Sequence, residues 1–305
     1  MSESTTKTIV IGTRGSRLAL WQAEHTLAQL KAIGVEARLE IIKTQGDKIQ
    51  HLGFDKLEGK GFFTKEIEDS LLRGDIDLAV HSMKDLPTSQ PEGLCISAVS
   101  YRETPVDALL IRQDALREGV TLKLKPDAVV GTSSARRKAQ MRDLCPGIEL
   151  KDIRGNVPTR IKKLQEGQFD AIILAAAGLT RLGLTPENIE VIRLNPKEFV
   201  PAPAQGVLAF QTCADNLPIR RMLRHIHHPE VSVLTNVERK VLKMMEGGCH
   251  IPLGVYCERD NMGHYHAYGA YAESWNAPLT TARVSSSTHF KLAEQLYNRL
   301  REANN

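Results

Sequence analysis

The sequence predicts an α/β protein, with two successive α/β units followed by a small α+β segment. Three observations predict this. Short apolar runs rich in β-branched residues alternate with helix-period segments. That alternation restarts near residue 128. After about residue 230 the order changes to a helix, two strand-like segments and a final helix.

In chain order, residues 8–11 read as a buried strand. Ser16 can cap the helix that follows, whose apolar positions include Leu20, Leu27 and Leu30, and Gly34 ends it. Residues 38–42 are the next strand, 64–72 a helix stopped by Gly74, and 77–80 a strand. This βαβαβ order implies a largely parallel sheet. The second unit has a strand at 128–131, a helix at 135–144, a strand at 149–153, a helix at 157–164 and a strongly apolar strand at 170–175. Residues 206–211 form one more apolar strand, placed to return to the first sheet. A helix at 231–245 carries Leu234, Val237, Val241, Leu242 and Met245 on one face. Strand-like segments at 254–257 and 264–271 and an amphipathic helix at 289–301 complete the chain.

A chain of 305 residues suggests two or three domains at roughly 100–200 residues each. The 42% hydrophobic and 25% charged composition is that of an ordinary globular protein. The net charge of +4 is too small for a general nucleic-acid binder, and the basic residues fall in local clusters that suit a focused anionic ligand. The five cysteines are odd in number and no pair has CxxC spacing, which argues against a disulfide framework or a zinc ribbon. The ten histidines include no HExxH pair, and no metal site is expected. No run approaches the roughly 18 apolar residues of a membrane span, and the first residues lack a signal-peptide pattern. A soluble protein of the reducing cytoplasm is expected.

The chemistry collects where apolar runs end. The first strand is followed by Thr13-Arg14-Gly15-Ser16, and the 77–80 strand by His81-Ser82-Met83-Lys84-Asp85. The 128–130 run is followed by Gly131-Thr132-Ser133-Ser134-Ala135-Arg136-Arg137, the 149–153 strand by Arg154-Gly155-Asn156 with Arg160 a turn later, and 173–177 by Gly178-Leu179-Thr180-Arg181. Strand-to-helix junctions offer free backbone N–H groups and the positive end of a helix dipole. Arginine adds bidentate recognition of carboxylate. Any one of these could be a surface charge or a helix cap, but five repetitions describe a site for several carboxylates or phosphates. No GxxxxGK[ST] and no GxGxxG follows a strand, which disfavours nucleotides. Asp85 is the one acid among these bases. It either pairs with Lys84 or a nearby arginine, or it steadies a developing positive charge and shuttles a proton. Cys249, after two glycines in Glu246-Gly247-Gly248-Cys249, is either a bared thiol nucleophile or a small buried hydrophobe.

Together these motifs resemble the hydroxymethylbilane synthase (porphobilinogen deaminase) family over nearly the whole chain. The pieces are Thr13-Arg14-Gly15-Ser16 with 18–22, Gly59-Lys60-Gly61, 80–86, 131–137, Arg154-Gly155-Asn156, 176–183, Ala204-Gln205-Gly206 and 246–252. HSMKD, GTSSxRR and EGGC in that order form the specific part. Two places depart from the family pattern: Ala135 stands where leucine is usual, and Pro201-Ala202-Pro203 precedes Ala204-Gln205-Gly206 in place of the commoner Gly-Gln-Gly context.

The resemblance implies two similar α/β domains of the periplasmic-binding-protein kind and a small α+β third domain carrying the cofactor cysteine. The divisions are 1–101 with about 204–226, then 102–203, then 227–305. Ligands would bind in the cleft between the first two. It implies a dipyrromethane held by a thioether to Cys249 and a transferase that adds four porphobilinogen molecules head to tail with loss of ammonia. Hydrolysis then releases hydroxymethylbilane for tetrapyrrole and haem synthesis. Asp85, with Lys84 and Arg14, would form the catalytic group, Asp85 contacting pyrrole nitrogens and the cation left when ammonia departs. Ser16, Ser82, Lys84, Asp85, Thr132, Ser134, Arg136, Arg137, Arg154 and Gly155 would hold the cofactor. Arg14, Gln22, Lys60, Arg154, Arg160, Arg181 and Gln205 would hold substrate, with Lys60 and Lys56 on a lid over 46–61. The family suggests a cytoplasmic monomer whose partner is a small molecule, with no nucleic acid and no membrane. The rivals are a non-catalytic binding protein for a polycarboxylate and a thiol acyltransferase or hydrolase using Cys249. The first needs neither Cys249 nor Asp85. The second wants a histidine near the thiol, and His250 is adjacent in sequence and so directed elsewhere.

Overall fold

A computed structural model describes residues 8–44, 64–246 and 251–302 of the chain. These divide into two compact units, one of residues 8–44, 64–102 and 207–232 and the other of 103–206, 233–246 and 251–302.

The chain begins with β1 (Ile9–Thr13), α1 (Arg17–Ala32), β2 (Ala37–Ile41), α2 (Lys65–Arg73) and β3 (Leu78–Ser82), then a 3₁₀ turn at Met83–Asp85 and β4 (Leu94–Val99). The second unit opens with β5 (Asp107–Arg112). It continues through β6 (Val129–Gly131), α3 (Ala135–Leu144), β7 (Glu149–Lys151), α4 (Val157–Gln165), β8 (Ala171–Ala175), α5 (Ala176–Leu182) and β9 (Ile189–Arg193). β10 (Leu208–Cys213) and α6 (Leu217–Leu223) belong to the first unit. They are followed by α7 (Pro229–Met244), β11 (Leu253–Arg259), β12 (Tyr265–Tyr271), β13 (Thr280–Ser286) and α8 (Leu292–Glu302).

The first sheet has the order β2-β1-β3-β10-β4 and the second β7-β6-β8-β5-β9. In each, four strands run one way and one runs against them. β10 is antiparallel to both β3 and β4, and β5 is antiparallel to both β8 and β9. The largely parallel expectation therefore holds with one reversed strand per sheet. The fold class is α/β with two five-stranded sheets, plus a smaller antiparallel sheet β11-β12-β13.

Alternation along the strands explains the layers. Ile9, Ile11, Leu78, Val80 and Phe210 face α1 and α6 through Ala23, Leu30 and Leu223. Ala79 faces the other way, onto Ile67, Leu71 and Ile76. In the second sheet Leu109, Ile111, Val130 and Ile173 meet Met141 of α3, while Ala108, Leu110, Ile172 and Leu174 meet Ile161 and Leu164 of α4. Strands covered on both faces read as continuous apolar runs, which is why 170–175 was so visible. The small sheet packs Val255, Ala267 and Val284 on Val237 and Val241 of α7 and on Leu296 and Leu300 of α8.

Some elements differ from the expectation. The strand expected from 206 starts at Leu208, because Gly206 has φ +91 and a Cβ there would lie 2.2 Å from the Glu103 carbonyl oxygen. β4, β5, β9, α6 and β13 were not anticipated. β13 is an edge strand, Thr-Thr-Ala-Arg-Val-Ser-Ser, with only Val284 fully buried, so its period is invisible in hydropathy.

Candidate functional site

In the first unit β1 ends at Thr13, whose buried hydroxyl donates to the Ala19 carbonyl at 3.1 Å. Ser16 stands in extended conformation at the start of α1 and its Oγ accepts from the Ala19 amide at 3.3 Å. Arg14 between them is half-buried. One turn into α1, the buried Gln22 donates from Nε2 to Ser82 Oγ at 2.9 Å. Two residues expected to bond ligand are therefore bonded to each other, across β3.

β3 delivers Ser82 into the 3₁₀ turn. Met83 and Leu86 are buried and act as plugs on either side of half-buried Lys84 and exposed Asp85. The Met83 amide donates to Val207 at 2.9 Å, which ties the turn to the chain entering β10. Beneath it His81, 7% exposed, lies 3.0 Å through Nε2 from Gln211 Oε1. Gln211 Nε2 donates to Glu68 Oε1 (3.1 Å) and Gln90 Oε1 (2.8 Å), so its Oε1 is the acceptor and His81 Nε2 carries the proton. Burial pushes the His81 pKa down to about 4; the Gln211 bond opposes this and the charge of Arg14 adds to it. His81 is a neutral prop under the turn that carries Lys84 and Asp85.

In the second unit the hydroxyls after β6 build the turn they sit in. Thr132 Oγ1 accepts from the Ser134 amide (3.3 Å), Ser133 Oγ exchanges bonds with Ile153, and Ser134 caps α3 at the Arg137 amide (3.5 Å). Arg136 and Arg137 then turn inward to Asp107, the first residue of β5 and 0% exposed. Arg136 Nη1 donates to Asp107 Oδ2 at 2.7 Å and to Val200 O at 2.9 Å. Arg137 donates through Nε (3.2 Å) and Nη2 (2.7 Å) to Asp107 Oδ1, and through Nη1 to Ile173 O (2.9 Å). Gln205 donates to the same Oδ1 at 3.0 Å and to Pro105 O at 2.7 Å. Burial alone would raise the carboxyl's pKa, but the two guanidiniums outweigh it and hold the group well below the usual carboxylate range.

β7 leads to Arg154-Gly155-Asn156. Gly155 has φ +115, and a Cβ there would lie 2.6 Å from Thr159 Cγ2. Asn156 caps α4 at the Thr159 amide (3.0 Å). Arg160 Nε donates back to Gly155 O at 2.8 Å. Its pKa is lowered to about 10 by burial and by the like charges of Arg137 and Arg154. Three arginines thus crowd one place. Arg181 lies in the last turn of the short helix α5 rather than at its start. It is buried, and Nη2 donates to Gly206 O at 2.7 Å.

Cys249 and Lys60, with Lys56 and the expected lid at 46–61, lie outside the described residues. Sequence reasoning passed over His81, Gln211 and Asp107. For Asp107 a signal existed, since an acid opening the apolar run Asp-Ala-Leu-Leu-Ile must find a cation once buried. Among the described residues no cluster of three or more His, Cys, Asp or Glu could hold a metal ion, and no helix is long and apolar enough to cross a membrane.

A family model described as porphobilinogen deaminase, dipyromethane cofactor binding domain, matches residues 9–221. A porphobilinogen deaminase of Chromobacterium violaceum is 47% identical over 251 residues, covering 81% of this chain and 79% of its own. One from Nitratidesulfovibrio vulgaris (strain Miyazaki F) is 42% identical over 285 residues, covering 92% and 86%. Among solved structures, the periplasmic VFT2 domain of Bordetella pertussis BvgS is 13% identical over 72% of this chain and 86% of its own, at a TM-score of 0.41, too slight a similarity to bear on the site.

Proposed function

The chain belongs to the porphobilinogen deaminase family, and we propose that it carries its dipyrromethane on Cys249 and uses Asp85 as the acid–base group of the reaction. Membership makes it a transferase that polymerises porphobilinogen in tetrapyrrole biosynthesis with a dipyrromethane cofactor. The observation that carries the reading is that β6 and β7, adjacent and parallel, both end in arginine-bearing junctions, so that Arg137, Arg154 and Arg160 gather at one edge of the second sheet, where burial and then the charges of Arg137 and Arg154 lower the proton affinity of Arg160. Like charges held together by the fold are stabilised by an anion, and each pyrrole unit of the growing chain carries two carboxylates.

The residues fit the cofactor. We assign Arg136, Arg137, Arg154 and Arg160, with Arg14 and Lys84 of the first unit, to its carboxylates and to those of substrate. The backbone at Gly155 has room only for hydrogen at that junction. Ser16, Thr132 and Ser134 act by fixing the turns that present these cations; Gln22 and Ser82 lock α1 to β3. Arg181 and Gln205 hold the 205–206 backbone. When bound, the dipyrromethane supplies the pyrrole carbon onto which the chain grows. Asp85 is exposed on a turn whose immediate neighbour is Lys84, so its carboxylate is available to balance positive charge as ammonia leaves porphobilinogen and to take the pyrrole proton. Lys60 as a lid residue and Cys249 as the anchor rest on the family resemblance. Further proposals are three domains divided as the resemblance implies, a cytoplasmic location, and action as a monomer without nucleic acid or membrane. The charge of +4 is small for a general nucleic-acid binder.

Intact-protein mass tests the reading. Active material should be heavier than its sequence by two linked pyrrole units, and Cys249→Ser should weigh only its sequence. An active wild-type chain at bare mass would overturn the assignment, a bare and inactive chain would favour a non-catalytic polycarboxylate binder, and a Cys249→Ser variant that is still heavy would point to a different anchor.

A further inference from the structure

Asp107 sits where a carboxylate is least comfortable, at the head of an apolar strand whose next four residues are all 0% exposed. Both its oxygens are used: Oδ2 takes Arg136, and Oδ1 takes Arg137 twice and Gln205 once. A structural ion pair at this depth needs one cation, since each further buried charge carries its own desolvation penalty. Here two arginines, each under a tenth exposed, share one acid, so the group of three keeps one positive charge. Arg136 donates through Nη1 alone among the described residues, which leaves its Nε and Nη2 uncommitted there. Arg137, held by Asp107 on one side, lies near enough to Arg160 on the other to lower its proton affinity.

We propose that Asp107 is a positioning residue that sets Arg136 and Arg137 as a preorganised fork for ligand carboxylate and fixes the surplus charge of that fork at one. Two adjacent guanidiniums repel one another, and each long side chain has many rotamers to lose on binding. The neutral acceptors Val200 O and Ile173 O help to hold the rotamers but bring no charge against the repulsion. The Asp107 carboxylate opposes both. It aligns Arg137 through two donors at once and screens it from Arg136. This inference rests on the carboxylate-binding reading of those arginines given above.

The test uses the full chain in Asp107→Asn, Asp107→Glu and, as a control on the underlying reading, Arg154→Leu. Intact mass reports the fraction carrying the dipyrromethane, a thermal melt reports folding, and the loaded fraction gives KM and kcat for porphobilinogen. Asp107→Asn is expected to lower loading severalfold and to raise KM about tenfold in the fraction that loads, with kcat changed much less. Asp107→Glu, which keeps the charge but moves it by a methylene, should fall between. A fall in melting temperature with wild-type loading and KM in the folded Asn variant would make Asp107 a structural ion pair only and overturn the proposal. Should Asp107→Asn fail to fold, wild-type loading and KM in Asp107→Glu would overturn it instead. If Arg154→Leu alone loses loading, the positioning role fails while the site reading stands. If all three variants load and bind normally, the carboxylate-binding reading itself fails.

Discussion

Asp85 is held in place by its neighbours. Met83 and Leu86 anchor the turn in the core, and the acid between them stays exposed beside Lys84. Asp85→Asn removes the charge and the proton acceptor without touching either plug. It should melt within about 1 °C of wild type, because surface changes away from buried features cost little. Its kcat should fall by roughly 10²–10⁴-fold, the usual worth of a positioned acid–base group. Ammonia release measured at saturating porphobilinogen checks this, and undiminished turnover would take Asp85 out of the reaction. At this scale the sequence was informative wherever a cation followed a strand end, as at Arg14, Lys84 and Arg154. About Asp107 it offered one hint, an acid opening an apolar run, and nothing of which cations it meets. The partners of Arg136 and Arg137 lie some thirty positions earlier, in a strand that the alternation pattern did not reveal. No local spacing encodes such a pair.

Short polar side chains act mainly on the elements. Ser16, Ser134 and Asn156 each cap a helix, at a typical worth of about 1 kcal/mol apiece. The helices they start carry Gln22, Arg136, Arg137 and Arg160. Gly155 does a related job between β7 and α4. Gly155→Ala would force a side chain onto Thr159 in left-handed backbone, at a cost of about 1–3 kcal/mol. A urea midpoint should show that loss. KM should rise with it, because the carbonyl that orients Arg160 belongs to the same residue. A midpoint and KM both at wild-type values would deny the junction its strain. The helices capped by Ser16, Ser134 and Asn156 were legible from the sequence nearly to the residue, since helix starts and glycine stops are local chemistry, while the short α6, capped by Asn216, was missed. β5 and β9 were not legible either: β5 is a short apolar run that periodicity alone cannot tell from a buried helix segment, and β9 is a half-exposed edge strand with little apolar contrast.

For the whole molecule, the buried neutral His81 makes stability depend on pH. Its folded pKa of about 4 lies below the ordinary imidazole value of 6.5, so between these values the unfolded chain binds a proton that the folded chain refuses. Stability from this group therefore falls as pH drops from 6.5 towards 4, by about 3 kcal/mol at the most. Asp107, depressed further still, adds its own loss only below the ordinary carboxylate range. Urea midpoints from pH 7 to 4.5 should decline less steeply in His81→Gln than in wild type, and parallel slopes would mean that the imidazole is not kept neutral by burial. The two sheets carry another consequence, in the time order of their assembly. β10 lies between β3 and β4 although it is made long after both. A chain emerging from the ribosome thus exposes two finished strands with a vacant slot between them, and the slot stays open until the whole second sheet has been synthesised. Folding here is a matter of waiting, and a truncated product ending before residue 208 would keep two bare strand edges for a chaperone, or for another unfinished copy, to find.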